Sequence, residues 1–319
     1  SINDNGSHGG NYNNDGAKGT NTIAVGKDTR AYEGGSIAMG EKAFAHARRI
    51  SAAEYAALSS ADQSIYTKYT DNGVDGYYLN NVGDQDGSAL SIGKSSEAAG
   101  AGAIALGTES RALSNAANAQ GVRATAYDRD SIAIGTGASA KGDVLDTAAY
   151  NALPASDKEK YKKYTENGVD MYINDTAYHS GTVAINSGGS SIAIGYDAKA
   201  HGRSAISLGN FSQSTQYNSI AIGNSAQAKF GASLAIGSST FANKYNSVAL
   251  GSQSYANTEA GEIGYLAKAT DTNGVWKSTR AAVSIGDPDG AAYSGASKVT
   301  PQITGLAAGT KDTDAVNVA

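Results

Sequence analysis

The chain has 319 residues and a net charge of −5, with 40 glycines and 19 tyrosines but only four phenylalanines, one tryptophan and two methionines. So few large apolar side chains argue against a thick enzyme core. The acidic balance argues against a nucleic-acid partner, because phosphate binding needs a basic face. The sequence has no cysteine, which excludes disulfides, thiolate zinc sites and cysteine nucleophiles.

A short motif, Ser-Ile-Ala-Ile-Gly with close variants, recurs from residue 22 onward, and its glycines fall 14 residues apart within each block. Two aliphatic residues flank one small residue, which is the period-two pattern of a strand and excludes a helix. Fourteen residues suffice for two short strands and two turns, so the pattern predicts a two-sided solenoid of about thirteen coils, ~60 Å long. The repeat glycines are Gly40, Gly93, Gly107, Gly135, Gly195, Gly209, Gly223, Gly237 and Gly251.

The repeat glycine predicts either a turn at positive φ or a close approach of neighbouring backbones. We expect each coil to bury its two or three aliphatic residues inside the roll, at ~1.5–3 kcal/mol each, which barely offsets the entropy of ordering fourteen residues. The alanine-rich strand faces would let two or more rolls approach closely. The sequence therefore predicts an obligate oligomer.

The repeat is interrupted twice, at about 47–87 and about 143–181, by two copies of one module. Residues of the first copy recur ninety-five positions later in the second, which indicates a duplicated folded unit. Capping-box spacing, as in Ser60 with Gln63, predicts two short helices in each module. Asn-Gly pairs at 72–73 and 167–168 predict tight hairpin turns.

Both modules leave the roll after an alanine-alternating stretch and return before an aliphatic strand, so we expect them on the same edge, about four coils or ~19 Å apart. Their tyrosines lie three residues apart in pairs, which predicts a shared helix face. These side chains either contact a receptor, as tyrosine often does, or pack the module onto its own roll or a neighbouring chain. The candidate partner-binding residues are Tyr66, Tyr69, Tyr77, Tyr161, Tyr164 and Tyr172.

The carboxyl end reads QITGLAAGTKDTDAVNVA over 302–319. Together with the repeats, this segment resembles the head and neck of trimeric autotransporter adhesins, the YadA-like surface proteins of Gram-negative bacteria. The resemblance implies a left-handed parallel β-roll in three chains around one axis. With the two modules, the predicted fold class is all-β with two small α+β insertions. It divides the chain into an Asn/Gly-rich tip at 1–21, a head at 22–300 and a neck at 301–319. The export signal, the stalk and the outer-membrane anchor are expected outside this sequence.

The resemblance also implies a cell-surface location and adhesion to host proteins. Family candidates are receptors of the carcinoembryonic-antigen-related type, collagen, fibronectin and laminin. In some members collagen binds repeats of the form Asn-Ser-Val-Ala-Ile-Gly, which the repeats beginning at Asn218 and Asn246 match closely. Two alternatives remain: a self-association spacer that forms biofilm, and a solenoid enzyme acting on polysaccharide. The narrow coil supplies neither the width nor the Asp, Arg and Lys cluster that such an enzyme needs.

The four histidines, at 8, 46, 179 and 201, do not have the spacing of a zinc site. No nucleophile elbow or phosphate-binding loop occurs in the sequence. We therefore predict no catalytic residue, no metal and no cofactor.

Overall fold

Two long parallel sheets run side by side in the computed structural model, which describes residues 15–19, 21–32, 34–46, 49–50, 52–64, 66–71, 74–79, 88–142, 144–158, 161–166, 169–174, 190–265, 267–268, 270–292 and 297–305. The first sheet has twelve strands and the second has eleven. Each strand pairs with the equivalent strand of the neighbouring coil, so the all-β parallel solenoid is confirmed.

The strands are short and follow one another in a fixed order. Before the first module the roll contains β1 (Ile23–Val25), β2 (Arg30–Ala31), β3 (Ile37–Met39) and β4 (Phe44–His46). The first module contains β5 (Arg49–Ile50), α1 (Ala52–Ala56), α2 (Ser60–Gln63), β6 (Tyr66–Asp71) and β7 (Val74–Leu79). The roll resumes with β8 (Leu90–Ile92), β9 (Glu97–Ala99), β10 (Ile104–Leu106), β11 (Arg111–Ala112), β12 (Asn118–Gln120), β13 (Thr125–Ala126), β14 (Ile132–Ile134) and β15 (Ser139–Ala140).

The second module and the last part of the roll complete the chain. The module contains β16 (Val144–Asp146), α3 (Thr147–Asn151), α4 (Ala155–Lys158), β17 (Tyr161–Glu166) and β18 (Val169–Asn174). The roll ends with β19 (Ile192–Ile194), β20 (Lys199–Ala200), β21 (Ile206–Leu208), β22 (Gln213–Ser214), β23 (Ile220–Ile222), β24 (Gln227–Ala228), β25 (Leu234–Ile236), β26 (Phe241–Ala242), β27 (Val248–Leu250), β28 (Tyr255–Ala256) and β29 (Val283–Ser284).

The ladder of the first sheet continues across both modules, because β3 pairs directly with β8 and β14 with β19. Each module is therefore inserted without breaking the stack. Both leave after a strand of the second sheet and return before a strand of the first, so they emerge from the same edge, as predicted. The first sheet has twelve described strands, which span ~53 Å at one strand spacing per coil. The prediction was about thirteen coils and ~60 Å.

The repeat glycine has both a positive φ and a close approach to a neighbouring backbone. Gly209 has a φ of 131°, and a Cβ there would lie 2.5 Å from the carbonyl oxygen of Gly223 in the next coil. Gly251 differs: its φ is 105°, but the nearest atom to an added Cβ is 3.3 Å away. The column of glycines thus lets successive turns stack with their backbones in contact.

The interior of the roll is built from alanine, serine and threonine, so the prediction that aliphatic residues fill it is wrong. In β23, for example, Ala221 is fully buried, whereas Ile220 and Ile222 on either side of it are only partly buried. A coil of fourteen residues encloses too little space for larger side chains, so alternation places the alanine inside and the isoleucines outside.

Several buried hydroxyls of this interior are paired with one another and with turn carbonyls. The hydroxyls of Ser207 and Ser212 lie 2.7 Å apart, and Ser212 donates to the carbonyl oxygen of Gly209 at 2.7 Å. Ser91 and Ser96 repeat the arrangement at 2.7 Å. Each of these hydroxyls therefore has a partner inside the roll, and those of Ser96 and Ser212 add a second hydrogen bond to a turn carbonyl that already accepts one from the backbone.

Each module is a three-stranded antiparallel sheet with two short helices, so the helices and the hairpin pairing are confirmed. The turn residues 72–73 and 167–168 lie outside the described residues. The hairpin pairings end at Asp71 with Val74 in one module and at Glu166 with Val169 in the other. The capping box at Ser60 is wrong, because the Gln63 amide donates instead to the carbonyl oxygens of α1 and its following turn.

Candidate partner-binding surfaces

The outward face of the first sheet is a long apolar strip, broken at one strand, which we call the aliphatic stripe. It consists of the first and third residues of β1, β3, β8, β10, β14, β19, β21, β23, β25 and β27, and the first residue of β29. Several of these side chains are more than a third exposed, from Ile92 at 38% to Val283 at 68%. An apolar strip of this length is larger than monomeric soluble proteins usually expose, and it indicates an interaction surface.

One strand interrupts the aliphatic stripe with polar residues. Asn118 and Gln120 occupy the outward positions of β12, between Ile104 and Leu106 of β10 and Ile132 and Ile134 of β14. The amide of Gln120 donates to Oδ1 of Asn118 at 3.0 Å, and both side chains are partly buried. Among the twelve strands that the structure describes in this sheet, β12 alone carries amides at these two positions.

The second sheet has a charged, amide and aromatic exterior. Glu97 accepts hydrogen bonds from Arg111 of the next coil at 3.0 and 3.1 Å. Farther along, the rings of Phe241 and Tyr255 meet edge to face with centroids 5.5 Å apart. A mixed surface of this kind is typical of a face that remains in contact with water.

In the first module the described tyrosine rings pack against one another. Tyr77 on β7 stacks on Tyr55 of α1 with ring centroids 3.9 Å apart, and Tyr66 meets the same ring edge to face at 6.4 Å. Nearby, Nζ of Lys68 lies 2.6 Å from Oδ2 of Asp75 across the hairpin, and a hydrogen bond with this carboxylate raises the pKa of Lys68. The cluster joins the helix to the sheet within the module.

The second module repeats this cluster closely. Tyr172 stacks on Tyr150 at 3.7 Å and is 9% exposed, while Tyr161 meets Tyr150 edge to face at 6.4 Å. Nζ of Lys163 lies 2.7 Å from Oδ2 of Asp170. The same geometry in both copies shows that the ring stack belongs to the architecture of the module.

The predicted helix face for the tyrosine pairs is wrong, because Tyr66 and Tyr161 each begin a β-strand. Residues three apart on a strand point to opposite faces. The segments are rich in tyrosine and threonine, which favour strands. The side chains of Tyr69 and Tyr164 lie outside the described part of the structure. A role in partner binding for the six tyrosines stays a prediction.

A set of exposed aromatic residues that the sequence reasoning missed lies on the edge from which the modules emerge. This aromatic edge consists of Tyr217, Phe230 and Tyr245, which are 39%, 43% and 53% exposed. They occupy the turns before β23, β25 and β27, equivalent to the turns that contain the modules. The signal in the sequence is a large aromatic residue two or three positions before the repeat serine in three successive coils.

Two of the three rings on the aromatic edge contact each other. The rings of Tyr217 and Tyr245 are 6.3 Å apart, and a hydrogen bond between their side chains raises the pKa of Tyr217. A Cβ added at Gly231 would lie 2.7 Å from Cζ of Tyr217, so glycine leaves room for the ring over the intervening coil. Tyrosine rings offer a large contact area at little entropic cost.

Two partly buried titratable side chains lie at the second sheet, where Glu97 is on β9 and His201 directly follows β20. Burial raises the pKa of Glu97, but the hydrogen bond and charge of His46 and the charge of Arg111 outweigh burial and lower that pKa to about 2. Burial, together with the charges of Lys141 and Lys199, lowers the pKa of His201 to about 3. Neither site is a reactive constellation, because neither brings a nucleophile and a base together.

The described residues include neither a cluster of metal ligands nor a long apolar helix. Among them, no three His, Asp or Glu side chains group as a metal site would need. Likewise, none of the helices described is both long and apolar enough to cross a bilayer.

The stacked coils correspond to a known repeat. The family model of the YadA head domain repeat (2 copies) matches residues 17–43, 88–110, 117–138, 129–143, 187–212, 200–226, 214–240, 231–254 and 242–259. The roll therefore contains YadA head repeats, which support a YadA-like adhesin head. This family consists of adhesins, not enzymes, and a YadA-like head indicates a surface-exposed adhesin of the trimeric autotransporter type. No curated protein matches the chain significantly.

The YadA-like segments coincide with the coils on either side of the modules and end at residue 259. The neck at 301–319, the tip at 1–21 and the domain limit at residue 300 therefore stay predictions. The modules themselves lie outside the matched segments over most of their length, so the match leaves their role open.

Proposed function

We propose that the chain is the rigid head of a homotrimeric adhesin that attaches a bacterial cell to host proteins. The observation that carries the proposal is the aliphatic stripe, which the single chain leaves partly exposed along the whole first sheet. Display on the outer membrane is part of the proposal and rests on the family.

A second and third copy of the same chain are the occupants that fit the aliphatic stripe. Its side chains repeat at the spacing of the β-ladder, and only a partner with the same spacing packs against it coil after coil. Another copy has that spacing, and the family implies three chains around one axis. In this assembly the stripes face the axis, which supplies the apolar burial that the alanine-filled interior of each roll lacks.

The trimer turns the second sheet and the module edge outward. Contact with a host protein then falls to the modules, as their tyrosines suggest, and to the aromatic edge of Tyr217, Phe230 and Tyr245 beside them. Three copies of a weak site on one rod raise the apparent affinity by ~10² to 10⁴ when they engage together. The family candidates for the partner are collagen, fibronectin, laminin and receptors of the carcinoembryonic-antigen-related type.

Binding of the purified fragment to epithelial cells and to these immobilised proteins tests the proposal. We expect Tyr217→Ala with Tyr245→Ala to weaken binding by about tenfold or more, as loss of anchor residues does. The matched control is Tyr196→Ala with Phe211→Ala, which removes an equally exposed ring pair, 5.1 Å apart, on the opposite edge. A further variant lacks residues 51–80 and 146–178, which removes both modules.

The outcomes separate the alternatives. If a trimer binds host protein equally well after both changes, neither the modules nor the aromatic edge is the contact surface. If the trimer binds no host protein but bacteria displaying it aggregate, the head is a self-association spacer. A wild-type chain that forms no trimer contradicts the proposed assembly itself.

A further inference from the structure

The amide pair of β12 distinguishes one alignment of the chains in the proposed assembly from all others. We propose that Asn118 and Gln120 form a polar layer that fixes the register and direction of the chains around the axis. This inference rests on the self-association proposed above, and it adds which alignment the chains adopt.

Without a distinguishing coil, the alignment of the chains would be poorly specified. Successive coils of the first sheet present nearly the same two aliphatic side chains, so sliding one chain by a coil exchanges like for like, as at Ile220 with Leu234 and Ile222 with Ile236. Register is weakly specified wherever a repeated surface looks the same after a shift.

The amide pair removes this degeneracy. The hydrogen bond from Gln120 to Asn118 uses one of several donors and acceptors of the two amides. In an aligned parallel assembly, the remaining groups meet the equivalent amides of the neighbouring chains. A shift by one coil places them against Ile104 and Leu106, or against Ile132 and Ile134, where they are buried without partners.

Direction is specified by the position of β12 along the sheet. Four strands precede it and seven follow it in the order of the first sheet. An antiparallel neighbour in full overlap would place the amides opposite Ile206 and Leu208 of β21, so the same penalty applies. One buried asparagine acts similarly in coiled coils, where it sets register and oligomer state at some cost in stability.

Disulfide trapping tests the register, since the chain has no cysteine of its own. One chain carries Ile222→Cys and another Leu250→Cys, on strands two coils or ~9.6 Å apart. The two are mixed, unfolded and refolded together, then oxidised. A disulfide needs Cα atoms within ~6.8 Å, so aligned chains link like positions, and only shifted chains link the cysteine at position 222 to the cysteine at position 250.

Three backgrounds are compared in this assay. The first is the wild-type pair. The second is Asn118→Ile with Gln120→Ile, which restores the aliphatic pair found on neighbouring strands. The third adds Ile132→Asn with Ile134→Gln and so moves the polar layer by one coil in every chain. Circular dichroism and thermal unfolding check the fold of each, and Gln120→Leu alone serves if the double substitution does not fold.

We expect the mixed disulfide to be rare in the wild type and to rise by about tenfold or more in the aliphatic background, the factor that ~1.4 kcal/mol represents. Moving the layer should restore the wild-type ratio, which a merely local packing role would not do. An unchanged ratio in the aliphatic background, or no restoration in the third, overturns the inference while leaving the trimer intact. A wild-type chain that sediments at 32.3 kDa overturns the assembly and the inference together.

Discussion

On their inner sides the twelve-stranded and eleven-stranded sheets carry the same small residues, whereas their outer sides have little in common. Ala221 of the first sheet and Ala228 of the second are both fully buried. Outside them stand Ile220 and Ile222 on one sheet, and Gln227 beside charged and aromatic neighbours on the other. The interior determines the coil, and the exterior determines what each sheet contacts.

The largest effect is expected from charging the first sheet. Ile220→Lys with Ile222→Lys places two ammonium groups in the aliphatic stripe, where their burial against another chain is prohibitive without partners. We expect light scattering after size-exclusion chromatography to show the monomer mass of 32.3 kDa. The matched control, Gln213→Lys with Gln227→Lys on the second sheet, should keep the mass of the wild type. Equal masses for both variants would contradict the division between the sheets.

The glycine column is the next most sensitive feature. Gly209→Ala puts a Cβ 2.5 Å from a backbone oxygen at a φ of 131°, and we expect a loss of about 3 kcal/mol or more in the free energy of unfolding. Gly251→Ala keeps the strained φ but has no atom nearer than 3.3 Å, so about 1–2 kcal/mol is expected. Denaturant titrations measure both values. Equal losses would mean that backbone strain alone, rather than coil contact, requires glycine.

An acid-sensitive site is expected at His201, which is partly buried and follows β20 of the second sheet. Burial beside Lys141 and Lys199 lowers the pKa of His201 to about 3 from an ordinary value of 6.5, so the folded state binds fewer protons than the unfolded state between these values. Stability from this group is full above pH 6.5 and falls as the pH drops toward 3. By pH 5 we expect the wild type to lose about 2 kcal/mol through His201.

His201→Phe removes the titrating group and should flatten this part of the profile. Thermal or denaturant unfolding at pH 8, 6.5 and 5 gives the comparison, with pH 8 as the reference where the histidine is neutral in both states. A wild type and a variant with parallel profiles would mean that His201 does not titrate across folding.

The smallest effect is expected at an exposed ion pair of the second sheet. Arg111→Gln removes the pair with Glu97 of the neighbouring coil, whose N–O distance is 3.0 Å. Pairs near the surface contribute about 0–1 kcal/mol, so the unfolding midpoint should hardly move and the mass should not change. If this variant no longer formed the oligomer, the contact between chains would lie on the second sheet, contrary to the proposal.

The period of the repeat predicted the coil, the strands and the glycine turns, but not which side of each strand faces inward. Alternation shows that a strand has two different faces, but it does not show which face lies inside the roll. Hydrophobicity alone suggested that the isoleucines lie inside. The perimeter of a fourteen-residue coil overrode that preference, because only side chains such as Ala221 and Ser207 fit inside.

The modules show a second limit of pattern reasoning. A spacing of three suggested a helix for Tyr66 and Tyr69, whereas hairpin pairing places them on β6. The stack of Tyr77 on Tyr55 joins residues twenty-two positions apart, and no local spacing reveals such a contact. The aromatic edge was visible as a recurring ring in the turns, yet its exposure becomes evident only once the coil is closed.

Sedimentation equilibrium of the unmodified fragment over a wide concentration range is the sharpest test of whether the aliphatic stripe is sealed by sister chains. We expect one species of three times 32.3 kDa that persists on dilution. A stable, folded species of 32.3 kDa at all concentrations would show that the exposed isoleucines need no partner, and the stripe would then not be a chain contact.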